Sequence, residues 1–166
     1  IFDRTTRFSC VSAGRRFGKS FLSMWEIARV ARFPGKRIFY IAPSYRQAKQ
    51  IIWTDIREQM YARRWVRRVN ESDLTIELVN GSRISLRSAD NPDSMRGVSL
   101  DFAVLDECAF MSSETWTQVI RPTLSDRQGG ALFISTPQGM GNWFYDLWLK
   151  AGHTEDWSHF QFTTLD

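Results

Sequence analysis

Cysteine is nearly missing from this chain: Cys10 and Cys108 are the only two in 166 residues. That scarcity excludes a disulfide framework and a four-cysteine zinc site. Both sit in apolar runs, so buried free thiols are expected, consistent with a reducing compartment. No run of about 18 apolar residues occurs, so no segment reads as a membrane-spanning helix. No secretory signal pattern, internal repeat or low-complexity linker is evident. A composition of 43% hydrophobic and 24% charged residues is globular rather than disordered. A mass of 19.3 kDa leaves room for one domain with one sizeable core.

Acidic residues are also scarce at one end. Residues 1–70 carry 4 Asp and Glu against 16 Lys and Arg, a balance of +12, whereas residues 71–166 carry −8. Of the 22 basic residues, 18 are arginine, the side chain suited to forked phosphate contacts. The imbalance points to an anionic partner without naming it. An amphipathic helix with a solvated basic face gives the same count.

What is present is a rhythm of short apolar runs, turns and helical stretches. Phe8–Ser12 reads as a strand that breaks at Gly14. A helix is expected from Lys19 to about Phe33, stopped by Pro34-Gly35. Arg37–Ala42 is an unbroken apolar run closed by Pro43, the pattern of a strand buried on both faces. The longest helix is expected from Tyr45 to about Val69, with Ala48, Ile52, Ile56 and Met60 as its apolar stripe. Thr75–Val79 and Arg83–Leu86 alternate around Asn80-Gly81, a hairpin signal whose tight primed turn needs positive φ at both central residues. Phe102–Leu105 and Ala131–Ile134 are two further buried-type strands. A helix over about Asn142–Ala151 and an aromatic strand, Trp157–Phe162, follow. Strands alternating with helices predict an α/β fold with a mainly parallel sheet and helices on both faces.

The most informative octet is Ala13-Gly14-Arg15-Arg16-Phe17-Gly18-Lys19-Ser20. It stands between a predicted strand and a predicted helix, the setting a phosphate-binding loop requires. In that reading Gly18 lets backbone N–H groups face phosphates, Lys19 reaches the β and γ phosphates of ATP, and Ser20 offers its hydroxyl to Mg²⁺. The helix adds its positive end. Ala13 stands where the first glycine is usual, which is tolerable if φ there is negative. The plainer alternative is a turn that happens to contain Gly-Lys-Ser before an ordinary helix. Arg15 or Arg16 can lie over the triphosphate, or both can simply coat a basic surface.

Phe102–Leu105 runs into two adjacent carboxylates, Asp106 and Glu107. Hydrolysis of ATP needs one carboxylate for the Mg²⁺ shell and one to orient and deprotonate water, roles that suit Asp106 and Glu107 respectively. The strand Ala131–Ile134 ends in Ser135-Thr136-Pro137, whose hydroxyls can touch the γ-phosphate or water, or merely close a polar junction. Arg96, in a loop before the acidic strand, can act on its own nucleotide, act on a neighbour's, or be a plain surface residue.

In this order, the segments SAGRRFGKS, YIAPSYRQAKQ, RGVSLDFAVLDE and FISTPQGMGNWFYDLW resemble the ATPase domain of the large terminase subunit, the DNA-packaging motor of tailed bacteriophages. The resemblance runs from about Phe8 to Asp166. It implies a RecA-like P-loop ATPase core that uses ATP and Mg²⁺, with Glu107 following the metal-binding Asp106 and with Ser135-Thr136-Pro137 as the coupling motif. It implies a catalytic part for Arg15, four places before Lys19. It also implies double-stranded DNA, further copies in a ring, the capsid portal and the small terminase subunit as partners, in the host cytoplasm. Full-length relatives carry an upstream adenine-contacting glutamine segment and a downstream nuclease domain, so residues 1–166 are expected to be one motor domain of a longer protein. Arg63, Arg64, Arg67 and Arg68 are candidates for DNA contact, or for a solvated helix end. The rival functions are a helicase or nucleic-acid remodelling ATPase, and an assembly module that binds ATP without turnover.

Overall fold

The computed structural model describes residues 6–162. Eight strands form one sheet: β1 (Phe8–Ala13), β2 (Arg37–Ala42), β3 (Val66–Asn70), β4 (Thr75–Leu78), β5 (Arg83–Ser88), β6 (Phe102–Asp106), β7 (Gly130–Ser135) and β8 (Trp157–Phe162). Their order is β3-β4-β5-β2-β6-β7-β1-β8. Every neighbouring pair is parallel except those made by β4, which alone runs against the others. The mainly parallel sheet expected from the alternation of apolar runs is therefore present.

The period-two alternation of a strand sorts its side chains into two cores. Val11 and Ala13 of β1 face one side, with Ile27 and Ala31 of α1 (Lys19–Ala31). Cys10 faces the other side, with Trp116, Phe144 and Ala151. The first side also receives Ala48, Ile52, Trp53, Ile56 and Met60, from α2 (Tyr45–Ala48), a π-helical turn over Lys49–Trp53, and α3 (Thr54–Ala62). The second is covered by a π-helical turn over Thr115–Ile120, by α4 (Arg121–Thr123) and by α5 (Trp143–Ala151). Burial on both faces explains why β2, β6 and β7 read as continuous apolar runs. Cys10 and Cys108 are both free and buried.

Two expectations are corrected. The long helix ends at Ala62, not near Val69, and Val66–Asn70 is the edge strand β3. The stop is a Schellman motif: Trp65 N–H donates to Met60 O at 3.1 Å and Arg64 N–H to Tyr61 O at 2.8 Å, with Arg64 left-handed at φ 57°. The apolar contact that accompanies such a motif is supplied by Trp65, packed against the core that holds Met60. Arginine, not glycine, occupies the left-handed position, so no stop signal is readable there. The hairpin at Asn80-Gly81 is real, but only Gly81 has positive φ, at 82°. Gly81 N–H donates to Leu78 O at 3.0 Å and Leu78 N–H to Ser82 O at 2.8 Å. The loop is thus three residues long, with a glycine bulge.

That loop holds the end of α1. Asn80 Nδ2 donates to the carbonyls of Ala31 (2.8 Å), Arg32 (3.3 Å) and Phe33 (3.3 Å), and Ser82 Oγ donates to Phe33 O at 2.7 Å. These are the carbonyls that a helix C-terminus leaves without internal partners. Asn80→Ala should cost about 1–2 kcal/mol and lower Tm by ~2–8 °C, as read by thermal denaturation. An unchanged Tm would show that water replaces the amide at no cost.

Candidate active site

The site forms where β1, β7 and β6 end side by side. β7 pairs with β1 through Ser12↔Ser135 and with β6 through Asp106↔Ile134. The parallel run brings the loop after each strand to the same edge of the sheet. The loop after β1 turns at Arg16 (φ 64°) and Gly18 (φ 86°) and enters α1 at Lys19. Ala13 lies within β1, fully buried and without positive φ. A glycine is therefore not needed there. Gly18 is the N-cap of α1, no side chain caps that end, and the first turn holds no acidic residue. The turn's N–H groups and the helix dipole form an anion-binding end.

Lys19 crosses the gap between the strand ends. Its Nζ donates to Ala13 O (3.3 Å), Gly14 O (3.2 Å) and Thr136 Oγ1 (3.0 Å), and lies 3.7 Å from Glu107 Oε1. Glu107 in turn accepts from Thr136 N (3.3 Å), from Thr136 Oγ1 (3.1 and 3.2 Å to its two oxygens) and from Ser135 Oγ (3.5 Å). The backbone of Glu107 is left-handed, φ 51°, a conformation that costs a side-chain-bearing residue about 1–2 kcal/mol. Its contacts to β7 hold the carboxylate in place against that strain. Ser135 itself is fully buried, and its Oγ also accepts from Ala109 N at 3.3 Å. It tethers the turn after β6, while Thr136 faces Lys19.

Asp106 is almost fully buried at 2% exposure. Tyr40 OH donates to its Oδ2 and Glu107 N–H to its Oδ1 at 2.9 Å. Burial pushes the Asp106 carboxyl above the ordinary carboxylate range; the Tyr40 hydrogen bond opposes this and the charge of Glu107 adds to it. Sequence reasoning alone misses Tyr40. The signal available is a lone polar tip in the apolar run of β2, next to β6 in the sheet.

Arg15, Arg16, Gly18, Lys19, Ser20, Asp106 and Glu107 line one cleft of about 460 Å³, with Ile51 as its apolar wall. Ile51 belongs to the π-helical turn, an irregularity frequent at functional sites. Phe17 leaves this group and stacks instead on Phe162 at 4.8 Å. Arg96 is also apart: it is exposed, donating to Asp93 Oδ1 (2.8 Å) and Gln118 O (3.3 Å). The Ser20 hydroxyl and the Asp106 carboxylate are hard oxygen donors on one cleft. They fit Mg²⁺, which takes one or two protein oxygens and completes its shell with water and phosphate. Among the described residues no group of three or more His, Cys, Asp or Glu is placed to hold a metal, and none is required for Mg²⁺ of this kind. No helix among them is long and apolar enough to cross a membrane.

Comparison with known proteins places the chain in a family. Residues 10–166 match the family described as terminase large subunit, T4-like-virus type, N-terminal. The chain is 35% identical over 164 residues to the terminase large subunit of Thermus phage G20c, covering 87% of this chain and 33% of that protein. The chain therefore spans about a third of that relative's length. The large terminase ATPase domain of Thermus phage P74-26 superposes with a TM-score of 0.82 at 30% identity, over 95% of this chain and 76% of that one. The large terminase of another thermophilic bacteriophage, solved in complex with ADP, shares the fold at a TM-score of 0.82 and 17% identity, over 97% of this chain and 41% of that one. The fold defines a RecA-like α/β domain with a mainly parallel sheet. The chain belongs to the large terminase subunit family, within its N-terminal region.

The raised Asp106 pKa sets a stability signature. A carboxyl raised above its unfolded value contributes stability that is present below the ordinary carboxylate range and lost as pH rises through the raised value. Asp106→Asn removes this titration, and its amide can still serve Glu107 N–H and Tyr40. The nucleotide-free variant should match or exceed wild-type Tm at about pH 8, with the difference shrinking toward about pH 4. A variant that becomes relatively less stable as pH rises would contradict the burial of an unfavourable charge.

Proposed function

We propose that this domain hydrolyses ATP with Mg²⁺ and drives double-stranded DNA into a viral capsid, as the motor part of a large terminase. The observation that carries the reading is the contact of Lys19, Thr136 and Glu107 beside the uncapped start of α1. The backbone N–H groups of the loop and Lys19 hold the β and γ phosphates. Glu107 orients the attacking water and takes its proton. Arg15, in the same cleft, offsets charge that develops on the phosphoryl oxygens. Ser20 and Asp106 would hold Mg²⁺, which would offset the negative charge of the phosphates when bound.

Thr136 touches both the phosphate-binding lysine and the water-orienting glutamate, so it senses whether the γ-phosphate is in place. Ser135 carries that change to the turn after β6 through its bond to Ala109. The ADP complex of a large terminase with the same fold supports nucleotide binding by this chain. Arg96, outside its own cleft and exposed, suits a role on the nucleotide of a neighbouring copy in a ring. Arg63, Arg64, Arg67 and Arg68 are all exposed, two at the end of α3 and two on the edge strand β3. They suit a backbone grip on DNA that ignores sequence. The portal and the small terminase subunit complete the assembly.

Two tests separate binding from chemistry. Lys19→Ala should abolish ATP binding measured by calorimetry; binding equal to wild type would overturn the nucleotide reading. Glu107→Gln should keep ATP binding and lose about 10²- to 10⁴-fold in turnover in the assembled oligomer; full turnover would remove Glu107 as the base. Strand separation by the wild type would favour a helicase instead. Reversing Arg67 and Arg68 to Glu should weaken DNA binding alike for all sequences and flatten its salt dependence. An unchanged salt slope would place the grip elsewhere.

A further inference from the structure

The turn that precedes Lys19 separates two cavities. One is the cleft of Arg15, Arg16, Ser20 and the carboxylates. The other is a larger groove of about 1110 Å³ between α1 and the sheet, lined near the turn by Phe17, Phe21 and Phe162. Among the described residues, Gly18 and Lys19 are the two that line both.

A nucleoside triphosphate has two unlike ends. Its reacting end must meet Glu107 and Thr136. The phosphates then cross Gly18 and Lys19, and the nucleoside leaves on the side away from the carboxylates. That side is aromatic. Phe17 lies nearly parallel to Phe162, with centroids 4.8 Å apart and an interplanar angle of 19°, and Phe162 is parallel to Phe160 at 6.5 Å and 5°. The end of β8 is tied to the turn itself, because Gly14 N–H donates to Phe162 O at 3.3 Å. Even so, Phe17 remains 38% exposed and Phe21, on the first turn of α1, 65% exposed. Phe17 is two residues before Lys19, no more than about 7 Å along the backbone. It is thus within reach of the nucleoside end of a triphosphate held by that lysine.

We propose that Phe17, braced by Phe162 and flanked by Phe21, is the shelf on which the base of the nucleotide stacks. The contact is made to the face of the base, by dispersion and ring electrostatics, and needs no hydrogen bond to its edge. The proposal rests on the ATP-binding reading of the loop and adds the part of the site that holds the nucleoside. It also gives exposed aromatic rings at a phosphate loop a task that phosphate binding does not.

The test compares ATP with inorganic tripolyphosphate, which has the phosphates and lacks the base, by equilibrium binding in the presence of Mg²⁺. Phe17→Leu keeps an apolar side chain in the turn, and Phe21→Ala lies on the exposed face of α1, outside the loop. Each should weaken ATP about tenfold, the size expected of one base–aromatic contact, and leave tripolyphosphate unchanged. Unchanged ATP affinity in both variants overturns the shelf. Parallel loss of ATP and tripolyphosphate also overturns it, because the rings would then only shape the loop. Failure of the underlying reading looks different: wild-type protein would bind neither ligand, and the shelf would fall with it.

Discussion

The site depends on one contact, the bridge that Thr136 makes between Lys19 and Glu107. It exists because β7 lies between the strand that feeds the Lys19 turn and the strand that ends in the carboxylates. Each of the three groups comes from a different loop, and only a parallel sheet in this order brings those loops to one edge. The left-handed Glu107 is the local cost of the arrangement, and its hydrogen bonds to β7 hold it there. Tyr40 plays the same supporting part for Asp106 from the strand on the other side of β6. Four adjacent strands thus converge on one pair of carboxylates.

The unequal charge of the two halves of the chain takes on a spatial meaning in this frame. The basic half supplies Arg15, Arg16 and Lys19; the acidic half supplies Asp106 and Glu107; and the two meet across one cleft. A second basic group, at the end of α3 and on β3, lies at the far edge of the sheet, with β4, β5 and β2 between β3 and β6 in the strand order. It is therefore separate from the cleft that holds Lys19 and the carboxylates.

Much of this is legible in the residues. The runs of β2, β6 and β7 announce strands buried on both faces, and the octet ending in Lys19-Ser20 announces its own turn and helix. Asp106, Glu107, Ser135 and Thr136 are readable because each closes an apolar run. Harder to read are features set by tertiary contacts. Helical periodicity carries past Ala62 because arginine rather than glycine takes the left-handed stop at Arg64. Strand β3, with its exposed arginines, has no apolar run of its own and is defined by pairing with β4. The Thr115–Thr123 segment has no clear signal in its residues, its helical character resting on Trp116, Val119 and Ile120 packing under the sheet. Tyr40 and Ile51 join the site only through the order of the strands and the π-helical turn. Phe17, grouped in the sequence with the octet, stacks on Phe162 instead of lining the cleft.

The most direct test of the central claim is Thr136→Val, which keeps the shape of the side chain and deletes the hydroxyl that links Lys19 to Glu107. Single-turnover hydrolysis of saturating ATP in the assembled oligomer, measured beside ATP affinity, reads the two functions separately. The account predicts near-normal affinity with a hydrolysis step slowed at least about tenfold, the size of one lost hydrogen bond. Wild-type hydrolysis by this variant would show that the bridge is a packing detail, and would contradict the account.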